Sequence, residues 1–199
     1  MIGQNRYKQC EKLMIRALAI FEKTYGPDDP RIASGRYGLA SLYAMQGKYT
    51  LGEPLAESAL TRRAALYAED GAYEIDYDMS LQQVADLFMA SDRPRQAVPL
   101  YQKRLALAEN GVGKQHRALQ FRLLDLADAL LADGKAAPAA TAYERVLNIL
   151  RDESTDVSPA CADRIEKTLA SIKKFCPMTR QAYLEKEVIE LRKRYIMAA

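Results

Sequence analysis

Leu39-Ala40-Ser41-Leu42-Tyr43-Ala44-Met45-Gln46-Gly47-Lys48 returns 45 residues later as Val84-Ala85-Asp86-Leu87-Phe88-Met89-Ala90-Ser91-Asp92-Arg93. It returns again after a further 42 residues as Leu126-Ala127-Asp128-Ala129-Leu130-Leu131-Ala132-Asp133-Gly134-Lys135. In each copy the first, fourth and fifth positions are apolar or small, the spacing of one buried helical stripe. Each then reaches Gly47, Asp92 or Gly134, residues that tolerate the left-handed backbone of a helix end. The register continues into the next stretch, where Gly52, Ala97 and Ala139 correspond, as do Ala56, Tyr101 and Tyr143, and Leu60, Leu105 and Leu147. A fixed period of this length marks helix pairs that bury their stripes by stacking on one another.

Between these landmarks the chain is rich in Ala, Leu, Glu, Gln, Lys and Arg, all good helix formers, and strict alternation of apolar and polar residues is absent. The fold class predicted is therefore all-α, a right-handed superhelical solenoid of antiparallel helix pairs. The small residues Gly52, Ala97 and Ala139 would let each second helix approach Ala40, Ala85 and Ala127 of its first. Gly26 would end one helix while Asp29 caps the next and Pro30 starts it. Stepping back from Leu60 lands on Leu18, with Cys10 under Gly52, so the chain opens in mid-repeat.

One helical-repeat domain over residues 1–199 is expected, made of a half repeat at 1–25, repeats at 29–70, 74–111 and 115–152, and a degenerate capping pair at 158–199, about nine helices. The expected core is Leu39, Leu42, Tyr43, Leu55, Leu60, Val84, Leu87, Phe88, Leu100, Leu105, Leu126, Leu130, Tyr143 and Leu147. In the opening half repeat, Leu13, Met14, Ala17 and Phe21 would cover the helix that starts near Pro30. Ile15 and Leu18 would stay on the outer side as a sticky end, implying self-association or a further N-terminal region.

At these residues the sequence resembles tetratricopeptide repeats, most of all the longer-period kind of kinesin light chains. The resemblance rests on Leu42-Tyr43, Gln46-Gly47-Lys48-Tyr49, Glu53-Pro54-Leu55, Ala59-Leu60, Ala17-Leu18-Ala19-Ile20-Phe21-Glu22-Lys23 and Gly26-Pro27-Asp28. It is strongest over residues 13 to 60, recognisable to about residue 150 and fades beyond. The family's paired asparagines on the first helix are replaced by Tyr37-Gly38, Gln82-Gln83 and Leu124-Asp125, so a binding mode that depends on them does not carry over.

Charge and composition narrow the function classes. Lys plus Arg exceed Asp plus Glu by three, too few for a protein whose main work is neutralising phosphates, so nucleic acid is not an expected partner. A local excess of nine basic residues over five acidic ones at 160–199 lacks interleaved aromatics and reads as a solvated cap. No apolar run approaches eighteen residues, so no membrane partner is expected. Cys10, Cys161 and Cys176 are odd in number and far apart, which fits a reducing, cytoplasmic compartment.

Chemistry-bearing motifs are missing, and no catalytic residue, metal or cofactor is expected. His116 stands alone at a predicted helix start. Gly111-Val112-Gly113-Lys114 lacks the strand and the hydroxyl residue of a phosphate loop. Glu69, Asp70, Glu74, Asp76 and Asp78 lack the glycine and final glutamate of a calcium loop.

A non-enzymatic protein-interaction module or scaffold follows, with a regulatory or accessory repeat domain of a larger enzyme or signalling protein as the alternative. Its groove would be lined by first-helix residues facing away from the second helix. These are Tyr37, Ser41 and Met45, then Gln82, Asp86 and Met89, then Leu124, Asp125, Asp128 and Leu131. Apolar and adaptable surface beside carboxylates favours a peptide or partner protein carrying apolar residues and at least one Lys or Arg.

Overall fold

The computed structural model describes residues 2–152 together with Lys186 and Ile189, so the capping pair expected at 158–199 lies outside the described residues. Among the described residues there are seven α-helices and no strand. They divide between two compact units, Met1–Arg93 and Pro94–Ala199. The first holds α1 (Ile2–Tyr25), α2 (Pro30–Met45), α3 (Tyr49–Glu69) and α4 (Glu74–Ala90). The second holds α5 (Pro94–Val112), α6 (Gln120–Ala132) and α7 (Ala136–Asp152).

The repeated turn is built the same way three times. Gly47, Asp92 and Gly134 adopt φ of +70°, +56° and +77°. The next residue then donates its N–H back across the turn, Lys48 to Tyr43 O at 2.9 Å, Arg93 to Phe88 O at 2.8 Å and Lys135 to Leu130 O at 2.8 Å. These bonds satisfy carbonyls that a helix end would otherwise leave open. The sequence register therefore marks equivalent backbone bonds.

Helix starts show a second recurring device. Asp29 caps α2 by accepting from Arg31 N, with Pro30 at the first helical position. Asp70 accepts from Ala72 N, and His116 Nδ1 from Ala118 N, each opening a short 3₁₀ turn that leads into the next first helix. His116 is exposed and fills the place of a capping aspartate. Arg31 also clasps the Asp29 carboxylate at 2.7 and 2.8 Å, and these bonds hold its pKa down at about 2.

Packing follows the small residues. A Cβ at Gly52 would lie 3.1 Å from Ala40 O, so α2 and α3 cross where glycine permits it. In the second unit Ala127 and Ala139, the corresponding pair, are wholly buried. The core of the first unit gathers Leu18, Ile32, Leu39, Leu42 and Tyr43, with Tyr7, Met14 and Leu55 packed against it. Of the expected core, Leu55, Leu60 and Leu100 are half-buried and the rest are buried.

The opening helix corrects its expectation. Leu18 is buried against Gly35 of α2, not on the outer side, while Leu13 and Phe21, expected to cover α2, are 67% and 38% exposed. Ala17 is exposed as well. The face of α1 that meets α2 runs through Met14 and Leu18, because Gly35 and Gly38 open α2 at those two points.

Candidate functional site

Within the first unit, α2 and α4 both lean on α3 and leave a cleft between them of about 420 Å³. Tyr37, Ser41, Ala44 and Met45 line it from α2, Tyr49 from the start of α3, and Met79, Gln82, Gln83, Asp86, Leu87 and Ala90 from α4. Met45 and Met79 are exposed, so the cleft offers flexible thioethers to solvent, and Asp86 is an exposed acidic residue of the same lining.

The floor is fixed by two buried polar side chains. Gln83 reaches from α4 to α2, its Nε2 donating to Tyr37 O at 2.9 Å and to Ser41 Oγ at 2.7 Å. Ser41 Oγ in turn donates to Tyr37 O at 3.1 Å. The other end of the amide, Oε1, is buried without a hydrogen-bond partner among the described residues.

Arg63 of α3, only 4% exposed, sits beside this bridge. Its guanidinium lies 4.6 Å from the Tyr37 ring centroid and donates to Ser80 Oγ at 2.9 Å, Asp76 O at 3.1 Å and Ser34 Oγ at 3.4 Å. The Asp76 carboxylate pairs with it at 3.2 Å. Burial lowers the Arg63 pKa from its ordinary value, while Asp76 and Tyr37 act the other way. One cation thus joins α2, α3 and α4 and lies over the Tyr37 ring.

Of the residues expected in the groove, Tyr37, Ser41, Met45, Gln82 and Asp86 come together in this cleft, and Met89 is half-buried outside it. The second unit differs. Leu124, expected on the groove, is wholly buried, because α6 is packed by both α5 and α7 and buries apolar residues around more of its circumference. Asp125 pairs with the buried Arg104 of α5 at 2.8 Å, Asp128 accepts from Tyr143 Oη, and Leu131 is half-buried. Both carboxylates are therefore held inside their own unit.

Gln83, Arg63 and Arg104 escaped the sequence reading. Gln83 had a signal, since it stands where the repeats that the sequence resembles carry an asparagine; Arg63 and Arg104 had none, their register counterparts being Ala108 and Ala59. Among the described residues no group of three or more His, Cys, Asp or Glu could hold a metal ion. No helix among them is long and apolar enough to cross a membrane.

The family model for the tetratricopeptide repeat matches residues 2–65. Over that stretch the chain is similar to tetratricopeptide repeats. Two structures of a Podosopora anserina protein with nearly identical TPR-like repeats, named as a kinesin light chain, share the fold. One of them, a form with a single substitution, is 19% identical, with a TM-score of 0.77 over 96% of this chain and 88% of that one. The other is 18% identical, with a TM-score of 0.77 over 96% and 89%. BtubC from P. vanneervenii is 15% identical, with a TM-score of 0.66 over 95% of this chain and 73% of that one. No curated protein matches. At these identities the likeness is one of fold: an all-α stack of helix pairs of the long tetratricopeptide kind.

Proposed function

We propose that the chain is a non-enzymatic interaction module whose α2–α4 cleft binds a short segment of a partner protein. The observation that carries this reading is the contrast within the cleft: a floor locked by Gln83 and Arg63 beneath walls of exposed Met45, Met79 and Asp86. A rigid base keeps the site formed before binding, so less ordering entropy opposes association, while methionines adapt to differing apolar side chains. Asp86 favours a ligand with a Lys or Arg beside its apolar residues. The partner suggested is a peptide segment, with no cofactor or metal required. The three dispersed cysteines support a cytoplasmic setting.

Panning a displayed peptide library against the full chain tests this. Enriched peptides should combine apolar residues with Lys or Arg, and Asp86→Lys or Met45→Glu should each weaken them by tenfold or more with the circular dichroism unchanged. Enriched peptides that bind both variants as tightly as the parent would refute the cleft as the site.

A further inference from the structure

No residue of α1 lines that cleft, and the solvent side of α1 has a composition of its own. Leu13, Ala17 and Ile20, spaced by four and three, form an exposed stripe on it, with Leu13 67% and Ile20 52% accessible, and Phe21 and Cys10 beside it. One flank of the stripe is the parallel row Lys12, Arg16 and Lys23, all exposed and without an ion-pair partner among the described residues. The two acids of α1 are engaged elsewhere, Glu11 with Tyr43 and Lys48, and Glu22 with Arg36. Arg6, Lys8, Lys12, Arg16 and Lys23 against Glu11 and Glu22 leave α1 with an excess of three positive charges, as large as that of the whole chain.

The repeat register says what shape of object fits there. Cys10, Leu13 and Ala17 correspond to Gly52, Leu55 and Ala59 of α3, and Gly52 is where α2 crosses α3. The stripe on α1 is therefore the surface on which a second helix of this architecture receives its first helix. We propose that this face docks an amphipathic helix of another protein whose apolar stripe is bordered by Asp or Glu. Charge selects the occupant. Two copies of α1 packed antiparallel would bring one row of Lys12, Arg16 and Lys23 against another, whereas an acidic helix meets that row with opposite charge and gains association rate and specificity.

The probe is the acidic first helix found in this chain itself, residues 74–90, bearing Glu74, Asp76, Asp78 and Asp86 and no Lys or Arg. It is made as a fluorescent peptide, stapled to hold it helical, beside a twin in which the four acids are lysine. Anisotropy titrations with the full chain should show the acidic peptide binding at least tenfold tighter than its twin. Leu13→Glu with Ile20→Glu should abolish binding. The surface variant Lys12→Glu, Arg16→Glu, Lys23→Glu should reverse the preference toward the lysine twin, a readout that unfolding could not produce. Equal binding of both peptides, binding of neither, or an unaltered preference in the charge-reversed variant overturns the proposal. Two further outcomes also overturn it. A concentration-dependent dimer in sedimentation that Leu13→Glu dissolves would assign the face to a second copy. Tighter attachment to vesicles of equal phosphatidylserine and phosphatidylcholine than to the acidic peptide, lost in the same variants, would assign it to a membrane surface.

Discussion

Alanine at Gly38 and alanine at Gly52 are the same chemical change, yet the surroundings give them opposite signs. Both positions are helical, so each substitution removes backbone freedom from the unfolded chain, worth up to about 1 kcal/mol in a helix interior. That gain is smaller at Gly52, the fourth residue of α3, than at Gly38 in the middle of α2. A Cβ at position 38 would fall 2.9 Å from Met14 Cε, the far end of a flexible side chain, which can turn aside for a fraction of a kcal/mol. A Cβ at position 52 would meet Ala40 O at 3.1 Å and Tyr43 Cβ at 3.4 Å, atoms of two buried residues with little room to shift. The α2–α3 pair must then part by some tenths of an ångström, an overpacking cost of about 1–3 kcal/mol. Gly38→Ala should accordingly stabilise by about 0.5 kcal/mol and Gly52→Ala destabilise by about 1–2 kcal/mol. Urea titrations followed by far-ultraviolet circular dichroism should show the two midpoints moving apart on either side of the parent at unchanged slope. Midpoints that move together, in either direction, would mean that the contact at Gly52 does not set the helix spacing.

The left-handed residue Asp92 does the work that Gly47 and Gly134 do in the other two turns, so Asp92→Gly should raise stability by about 1 kcal/mol, while Gly134→Ala should lower it by a similar amount, both read from thermal midpoints. Leu126→Ala empties a buried site and should cost about 2–5 kcal/mol, whereas Lys135→Ala removes the half-exposed partner of the mostly buried Asp133, which Arg95 still approaches at 3.9 Å, and should cost about 1 kcal/mol; comparable urea midpoints for the two would contradict the core assignment. Acid should release the α2 cap. The Asp29 carboxyl titrates at about 2 when folded against 3.8 normally, so its contribution is whole above about pH 4 and lost as pH falls toward 2. The carboxyl carbon shift of Asp29 in an NMR titration should report that low midpoint, and Asp29→Asn should flatten the acid limb.

How much of this was legible in the sequence varies with the physics involved. Turns were legible because left-handed backbone restricts residue choice: Gly47, Asp92 and Gly134 announce themselves, and so does the Asp29-Pro30 cap. Helix crossings were legible for the same steric reason, through Gly52. The facing of α1 was not, since Leu13, Met14, Ala17, Leu18 and Phe21 are apolar around much of the helix and only the gaps at Gly35 and Gly38 decide which of them turn inward. Nor was the burial of Leu124, which depends on α5 and α7 packing against α6 from different sides. The cleft was half legible: asking which first-helix residues face away from the second helix found Tyr37, Ser41, Gln82 and Asp86, but not the bonds of Gln83 and Arg63 beneath them.

Arg63 belongs by sequence to the repeat at 29–70, yet its only carboxylate among the described residues, Asp76, and its closest hydroxyl, Ser80, belong to the next repeat. The modular boundary read from the sequence therefore falls between a buried cation and its counter-charge. A duplication, deletion or transplant cut in the 71–73 connector would leave the guanidinium stranded in the interior with Ser34 and the Tyr37 ring for company. Recombination would succeed better with its breakpoint after α4, where residues 1–93 already form one compact unit. In this chain the piece that can be inherited whole is offset from the piece that repeats.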